Sequence, residues 1–221
     1  MFLHGYLSSG KSFYYQTEFF KKEFNVYAPD LKGFGENKGM DHPYSLTDYA
    51  NDVKAYIAEN GLNRPHVVAH SFGARIAVKM ASEDPDVFDK MVLTGAAGLK
   101  PKRTFKFYVK RTVYKALKPF FGKERLSKFF SKDYNALPSV MKESFVKIIN
   151  EHTDGLLSAI KNPTLLVFGE NDKETPLYMA ERFNKGIPNS ELLVLHGAGH
   201  FAFIDKPLKF NTEVREFFLS R

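Results

Sequence analysis

Short apolar runs alternate with helix-like stretches along most of this chain, and that alternation constrains its fold more than any other feature. PHVVAH, KMVLTGAAG, PTLLVFGE and ELLVLHG read as strands, MFLH as a strand stub, and FNVYAPD as a strand ending at Pro29. Helical patterns fall between them. They cover residues 12–22, a stretch opened by Ser45 with Asp48 three residues on and stopped at Gly61, residues 72–84 halted by Pro85, residues 176–186, and residues 207–220. Strands alternating with helices predict an α/β fold: a mostly parallel sheet with helices on both faces.

The alternation breaks between residues 99 and 160, where no strand is predicted. Phe105, Val109, Val113, Leu117 and Phe121 recur at a spacing of four, a helical stripe. The expected organisation is therefore a split core, residues 1–98 and 161–221, with a helical insertion at 99–160. A length of 221 residues and a hydrophobic fraction of 43% suit one domain with such an insertion. No apolar run approaches the roughly 18 residues of a membrane span. The N-terminus lacks the charged and apolar regions of a secretory signal, so a cytoplasmic location is expected. With no cysteine, disulfides and thiolate metal sites are excluded.

Ser71, in AHSFG, lies where a strand meets a helix. The pattern is close to G-x-S-x-G, with Ala69 in the first glycine position. Small residues suit a turn at which strand and helix backbones cross closely. Such a turn lifts the serine hydroxyl above the sheet, and the next N–H, that of Phe72, opens a helix that favours negative charge. Serine is also a common helix cap, so Ser71 alone does not specify chemistry. A hydroxyl becomes a useful nucleophile when a histidine takes its proton and a carboxylate orients the histidine. Those partners are available after later strands. The loop following PTLLVFGE carries Glu170 and Asp172, and the loop following ELLVLHG carries His196 and His200. Catalytic groups of open parallel sheets gather at the carboxyl ends of strands.

FLHGYLSS, DLKGFGEN, AHSFGA, FGENDKETP and GAGHF together resemble the α/β-hydrolase superfamily over nearly the whole chain outside the insertion. The resemblance implies an α/β-hydrolase fold with Ser71 as nucleophile, Asp172 as acid and His200 as base. It favours Asp172 over Glu170 through the G-x-x-D pattern in GEND, and leaves Glu170 as a solvated carboxylate and His196 as a loop-shaping residue. The HG turn at His4–Gly5 would set the Tyr6 N–H opposite that of Phe72 as an oxyanion hole, with Leu7 as the alternative donor. His4 would support that turn, His70 would be structural, and Asp30 would organise its loop with Gly33 and Gly35. Members of the superfamily carry further strands before the HG turn, and here that strand starts at Met1; a truncated form, a misassigned start and a smaller sheet are the alternatives that this leaves. Related haloalkane dehalogenases and epoxide hydrolases use an aspartate where Ser71 stands, so those chemistries are not expected.

The implied reaction is hydrolysis of a carboxylic ester through an acyl-enzyme, on a small-molecule acyl substrate and with no cofactor. The same constellation serves carbon–carbon bond hydrolysis or a lyase reaction in related families. A non-catalytic binding protein that kept the fold is the reading from another class. No histidine or carboxylate pair stands at metal-ligand spacing, so no metal is expected. GFGENKG lacks the strand–glycines–helix context of a phosphate loop.

In related hydrolases an insertion at the position of residues 99–160 forms a cap over the active site. Residues 100–132 hold twelve Lys and Arg against Glu124 alone; this net +11 within a chain total of +7 leaves −4 elsewhere. A solvated cap surface accounts for such a segment most simply. It would also attract an anionic substrate, such as a carboxylate or a CoA thioester, or dock on an anionic membrane surface. No nucleic-acid motif accompanies the charge, so no nucleic acid is expected as a partner.

Overall fold

The structure, a computed structural model, describes residues 1–102 and 137–220. Five strands form one parallel sheet whose spatial order follows the chain: β1 (Phe2–Leu3), β2 (Val67–His70), β3 (Met91–Thr94), β4 (Thr164–Gly169) and β5 (Ser190–Leu195). The register sets Phe2 beside Val68, Val67 beside Met91, Met91 beside Thr164, and Thr164 beside Ser190.

Side chains alternate along each strand, and the alternation divides the core in two. Leu3, Val67, Ala69, Met91, Leu93, Leu166 and Phe168 pack on one face, with α2 (Leu46–Glu59), α3 (Phe72–Glu83) and α5 (Leu177–Gly186). Phe2, Val68, Val92, Leu165 and Val167 pack on the other, with α1 (Tyr14–Phe20), the short α6 (Ala202–Asp205) and α7 (Pro207–Leu219). Burying each such Val, Leu or Phe side chain contributes about 1.5–3 kcal/mol, and doing so on both faces requires the near-continuous apolar strands that the sequence carries.

Local signals set the helix ends. Ser45 and Asp48 form a reciprocal capping box at the start of α2: the Ser45 hydroxyl accepts from Asp48 N, and Asp48 Oδ2 accepts from Ser45 N at 2.7 Å. Gly61, at φ = 60°, follows its end. Pro207 occupies the first turn of α7, where its missing N–H costs nothing.

The expected strand at FNVYAPD is corrected. Residues 25–30 run beside β1 without strand pairing, joined to it by one bond, Phe2 N to Tyr27 O at 2.8 Å. β1 has only two residues, too few to template a longer ladder. Of residues 99–160, the structure describes 99–102 and 137–160, which hold α4 (Ser139–Asn150) and a 3-10 turn at Asp154–Ala159. Met141, Ile148 and Leu157 from this segment join the core of the α2–α3–α5 face. The stripe from Phe105 to Phe121 lies outside the described residues. Among the described residues, no helix is long and apolar enough to cross a membrane.

Candidate active site

Ser71 caps α3 with a backbone that few L-residues adopt, φ = 50° and ψ = −104°. Its side chain makes no capping hydrogen bond, so capping does not explain the serine. The turn is held by backbone bonds from Ser71 N to Thr94 O (3.1 Å) and from Ala97 N to Ser71 O (3.2 Å). Gly73 is required by close approach: a Cβ there would stand 2.3 Å from Leu3 O, so α3 can cross β1 only with glycine at that point.

Asp172 and His200 are brought together by the ends of β4 and β5. His200 Nδ1 donates to Asp172 Oδ2 at 2.9 Å, with both side chains almost wholly buried. The rest of Asp172 is also satisfied. Oδ1 accepts from the N–H groups of Glu174 (2.8 Å) and Thr175 (2.9 Å), and Oδ2 accepts from Thr175 Oγ1 (2.7 Å). Burial alone would raise the Asp172 pKa, but the hydrogen bonds from His200 and Thr175 outweigh it and hold the carboxyl below its ordinary value. Asp172 is thus a buried carboxylate that fixes the His200 ring with Nδ1 protonated. The ring also rests on Gly95, where a Cβ would stand 3.1 Å from Nδ1.

The other ring nitrogen, Nε2, faces Glu174 Oε2 at 3.4 Å. Ser71 and His200 therefore reach the same end of the sheet, but among the described residues no hydrogen bond joins them. Their link runs through His70. Its Nε2–H donates to the His200 carbonyl at 3.1 Å, and the two rings lie 4.7 Å apart between centroids. Burial, with the neighbouring His200 adding to it, pushes the His70 pKa down to about 3, so the bridge is a neutral imidazole.

Tyr6 and Phe72, the two expected oxyanion donors, come from the turn after β1 and the first residue of α3. A helix leaves its first N–H groups without intrahelical partners, which suits Phe72 to the role. The Tyr6 ring packs against Phe34, Phe72 and Phe145, and its hydroxyl donates to Met141 O at 3.0 Å, tying the turn to α4. Leu7, the alternative donor, is at φ = 59°. His4 accepts from Leu31 N at Nε2 (2.9 Å) and donates from Nδ1 to Gly5 O (2.8 Å), bracing the turn as a neutral ring whose pKa burial depresses. Asp30 gathers its loop by accepting from Gly10 N (2.7 Å) and Glu36 N (2.8 Å).

Glu170 and His196 stay outside the cluster. They face each other, Oε1 to Nδ1 at 3.4 Å, and Glu170 Oε2 accepts from Gly197 N at 3.0 Å. Sequence reasoning missed Thr175 and Glu174. Thr175 follows Asp172 by three residues, a spacing at which an Asp side chain commonly gathers the backbone ahead of it. Nothing in the sequence marks Glu174.

The parallel sheet with helices on both faces is that of an α/β hydrolase. Comparison with known proteins agrees: the chain belongs to the Alpha/beta hydrolase family, which matches it over residues 1–213. The AB hydrolase superfamily protein YisY of Bacillus subtilis is 30% identical over 244 aligned positions, covering 98% of this chain and 90% of YisY. Among solved structures, the esterase EaEST of Exiguobacterium antarcticum superimposes with a TM-score of 0.79 at 24% identity, covering 99% of this chain and 91% of its own. The meta-cleavage product hydrolase CumD of Pseudomonas fluorescens gives 0.75 at 22%, covering 98% and 89%. At these identities the two structures speak for the fold.

Proposed function

We propose that this protein is a serine hydrolase that cleaves a carboxylic ester through an acyl-enzyme. The observation that carries the reading is the bonded Asp172–His200 pair at the sheet end where Ser71 is held on a strained turn with its hydroxyl uncapped. On this reading His200 Nε2 exchanges Glu174 for the Ser71 hydroxyl and takes its proton as Oγ attacks the ester carbonyl. The N–H groups of Phe72 and Tyr6 receive the oxyanion; losing one such donor costs on the order of 10²–10³ in rate. The tetrahedral intermediate collapses as His200 returns the proton to the leaving alkoxide. Water then attacks the acyl-enzyme, with His200 again as base, and releases the acid. Residues 1–98 and 161–221 form the hydrolase core and residues 99–160 the cap.

A fluorophosphonate probe with peptide mapping tests the reading. Wild type should label at Ser71, and His200→Ala should not. A folded wild type that fails to label, or labels elsewhere, overturns it.

A further inference from the structure

Beside the loop that carries Asp172 lies a second feature that the reaction above does not use. A cavity of about 430 Å³ opens between that loop, α4 and the segment after β3. Its walls include the apolar Leu99, Ile149 and Met179, and its border with the catalytic loop is Glu174 and Thr175. Because Glu174 also faces His200 Nε2, the cavity adjoins the nitrogen that must reach the ester. Its size is that of a small-molecule site.

The charge in this lining is one-sided. Among the lining residues Arg75, Lys100 and Lys102 stand against Glu174, with His152 near them, while the carboxylates of Glu151 and Asp154 also act on Arg75 from outside the lining. Arg75 is the informative residue. It projects from the first turns of α3, its stem lying against Gly98. Only Nη1 is engaged, donating to Ile148 O and Glu151 O, each at 2.9 Å. Among the described residues the edge formed by Nε and Nη2 has no hydrogen-bond partner, and Arg75 itself lines the cavity. Burial lowers the Arg75 pKa to about 10, which leaves it charged at neutral pH. A half-engaged guanidinium with a free two-donor edge matches one ligand group above others, the planar carboxylate, which accepts two parallel N–H bonds. Lys102 is held near by its backbone N–H, which donates to the Tyr178 hydroxyl at 3.3 Å, and by its Nζ, 4.8 Å over the Tyr178 ring.

We infer that this cavity binds the carboxylate of a monoanionic ester, with the free edge of Arg75 as anchor and Lys100 and Lys102 as flanking charges. The inference rests on the Ser71 hydrolase reading and adds to it the substrate class: half-esters of dicarboxylic acids, or esters whose alcohol carries an acid. The apolar walls take the carbon chain between the anion and the ester, and Glu174, at the His200 end, favours substrates whose charge lies away from the reacting carbonyl.

The test compares p-nitrophenyl hydrogen glutarate with the neutral p-nitrophenyl pentanoate, reading the ratio of the two kcat/KM values in each protein. Wild type should favour the anionic ester by about tenfold or more, the scale of one charge-assisted bidentate contact. The ratio should fall by at least about fivefold in Arg75→Lys, which keeps the charge but loses the fork. Should that variant fold poorly, the pair Lys100→Gln and Lys102→Gln, which leaves Arg75 and its bonds to Ile148 O and Glu151 O in place, should lower the ratio as well. Titration of glutarate into Ser71→Ala separates binding from turnover: affinity that weakens with added Arg75→Lys supports the site even where no ester is cleaved. Ester turnover with a ratio near one in every protein overturns the anion site, and so does glutarate affinity indifferent to Arg75. Failure of Ser71 labelling with glutarate binding intact overturns the hydrolase reading instead.

Discussion

The loop after β4 and the turn after β2 each bring a reactive side chain to the same end of the sheet, by opposite means. In the loop, the side chain does the holding. Asp172 accepts from two backbone N–H groups, from Thr175 and from His200, and Asn171 N reaches across to Ala198 O at 2.8 Å. In the turn, the backbone does the holding, and the Ser71 hydroxyl is left without a capping bond at φ = 50°. A carboxylate with every acceptor site occupied is suited to orient a neighbour. A hydroxyl left uncommitted on a strained backbone is suited to react. On the proposed reading, this is the difference between a residue that orients its neighbour and one that attacks.

The largest effect that bears on this contrast is expected at Asp172. Asp172→Asn keeps the shape but presents an amide N–H₂ to groups that are themselves donors. It should lower kcat by about 10⁴, as expected when the histidine loses its correct tautomer. Steady-state turnover of an activated ester checks this. A loss below tenfold would mean that the loop, and not its carboxylate, orients His200, and the contrast with the turn would fall.

Ser71→Gly tests the other half. Backbone held in such a region costs of order 1–3 kcal/mol, while glycine costs about 0.5–1 kcal/mol through the unfolded chain. A net gain near 1 kcal/mol should raise Tm by about 2–4 °C in a chain of this size while abolishing activity. Ser71→Ala, which loses the hydroxyl but keeps the strain, should be equally inactive with Tm close to wild type. Calorimetry of the two variants decides the matter: equal Tm values would show that the turn is unstrained.

Much of this arrangement can be read from the sequence because it is local or periodic. AHSFG announces the turn, apolar runs announce four of the strands, and Asp172 and His200 follow directly on strand ends. The Ser45–Asp48 box and the stop at Gly61 are equally local. What could not be read depends on residues far apart in the chain. FNVYAPD has strand composition, but pairing also depends on its neighbour, and β1 has two residues. The bond from His70 to the His200 carbonyl joins residues 130 apart, and Arg75 is defined by carbonyls 73 and 76 residues away. Glu174 gains its meaning only when β5 returns His200 beside it.

The smallest effect at neutral pH is expected at His70, which adjoins Ser71 and bonds to the carbonyl of His200, the partner of Asp172. His70→Gln can keep a donor near the position of Nε2 but cannot titrate. The unfolded chain binds a proton on this histidine below about pH 6.5, whereas the folded chain resists it until about pH 3. Between those values the unfolded state holds more protons, so the stability due to neutral His70 is complete above pH 6.5 and is lost as pH falls toward 3. The variant should match wild type near pH 7 to within about 1 kcal/mol, the worth of a hydrogen bond, and should lose stability less steeply in acid. His4 and His66, whose pKa values burial also depresses, still contribute a slope of the same sign, so the decline should flatten without vanishing. Urea midpoints across this pH range give the answer. Parallel curves for the two proteins would mean that His70 takes up its proton in the folded state as readily as in the unfolded one. A bridge to His200 built on a buried neutral ring would then be untenable, and the turn and the loop would have to find their common alignment through the sheet alone.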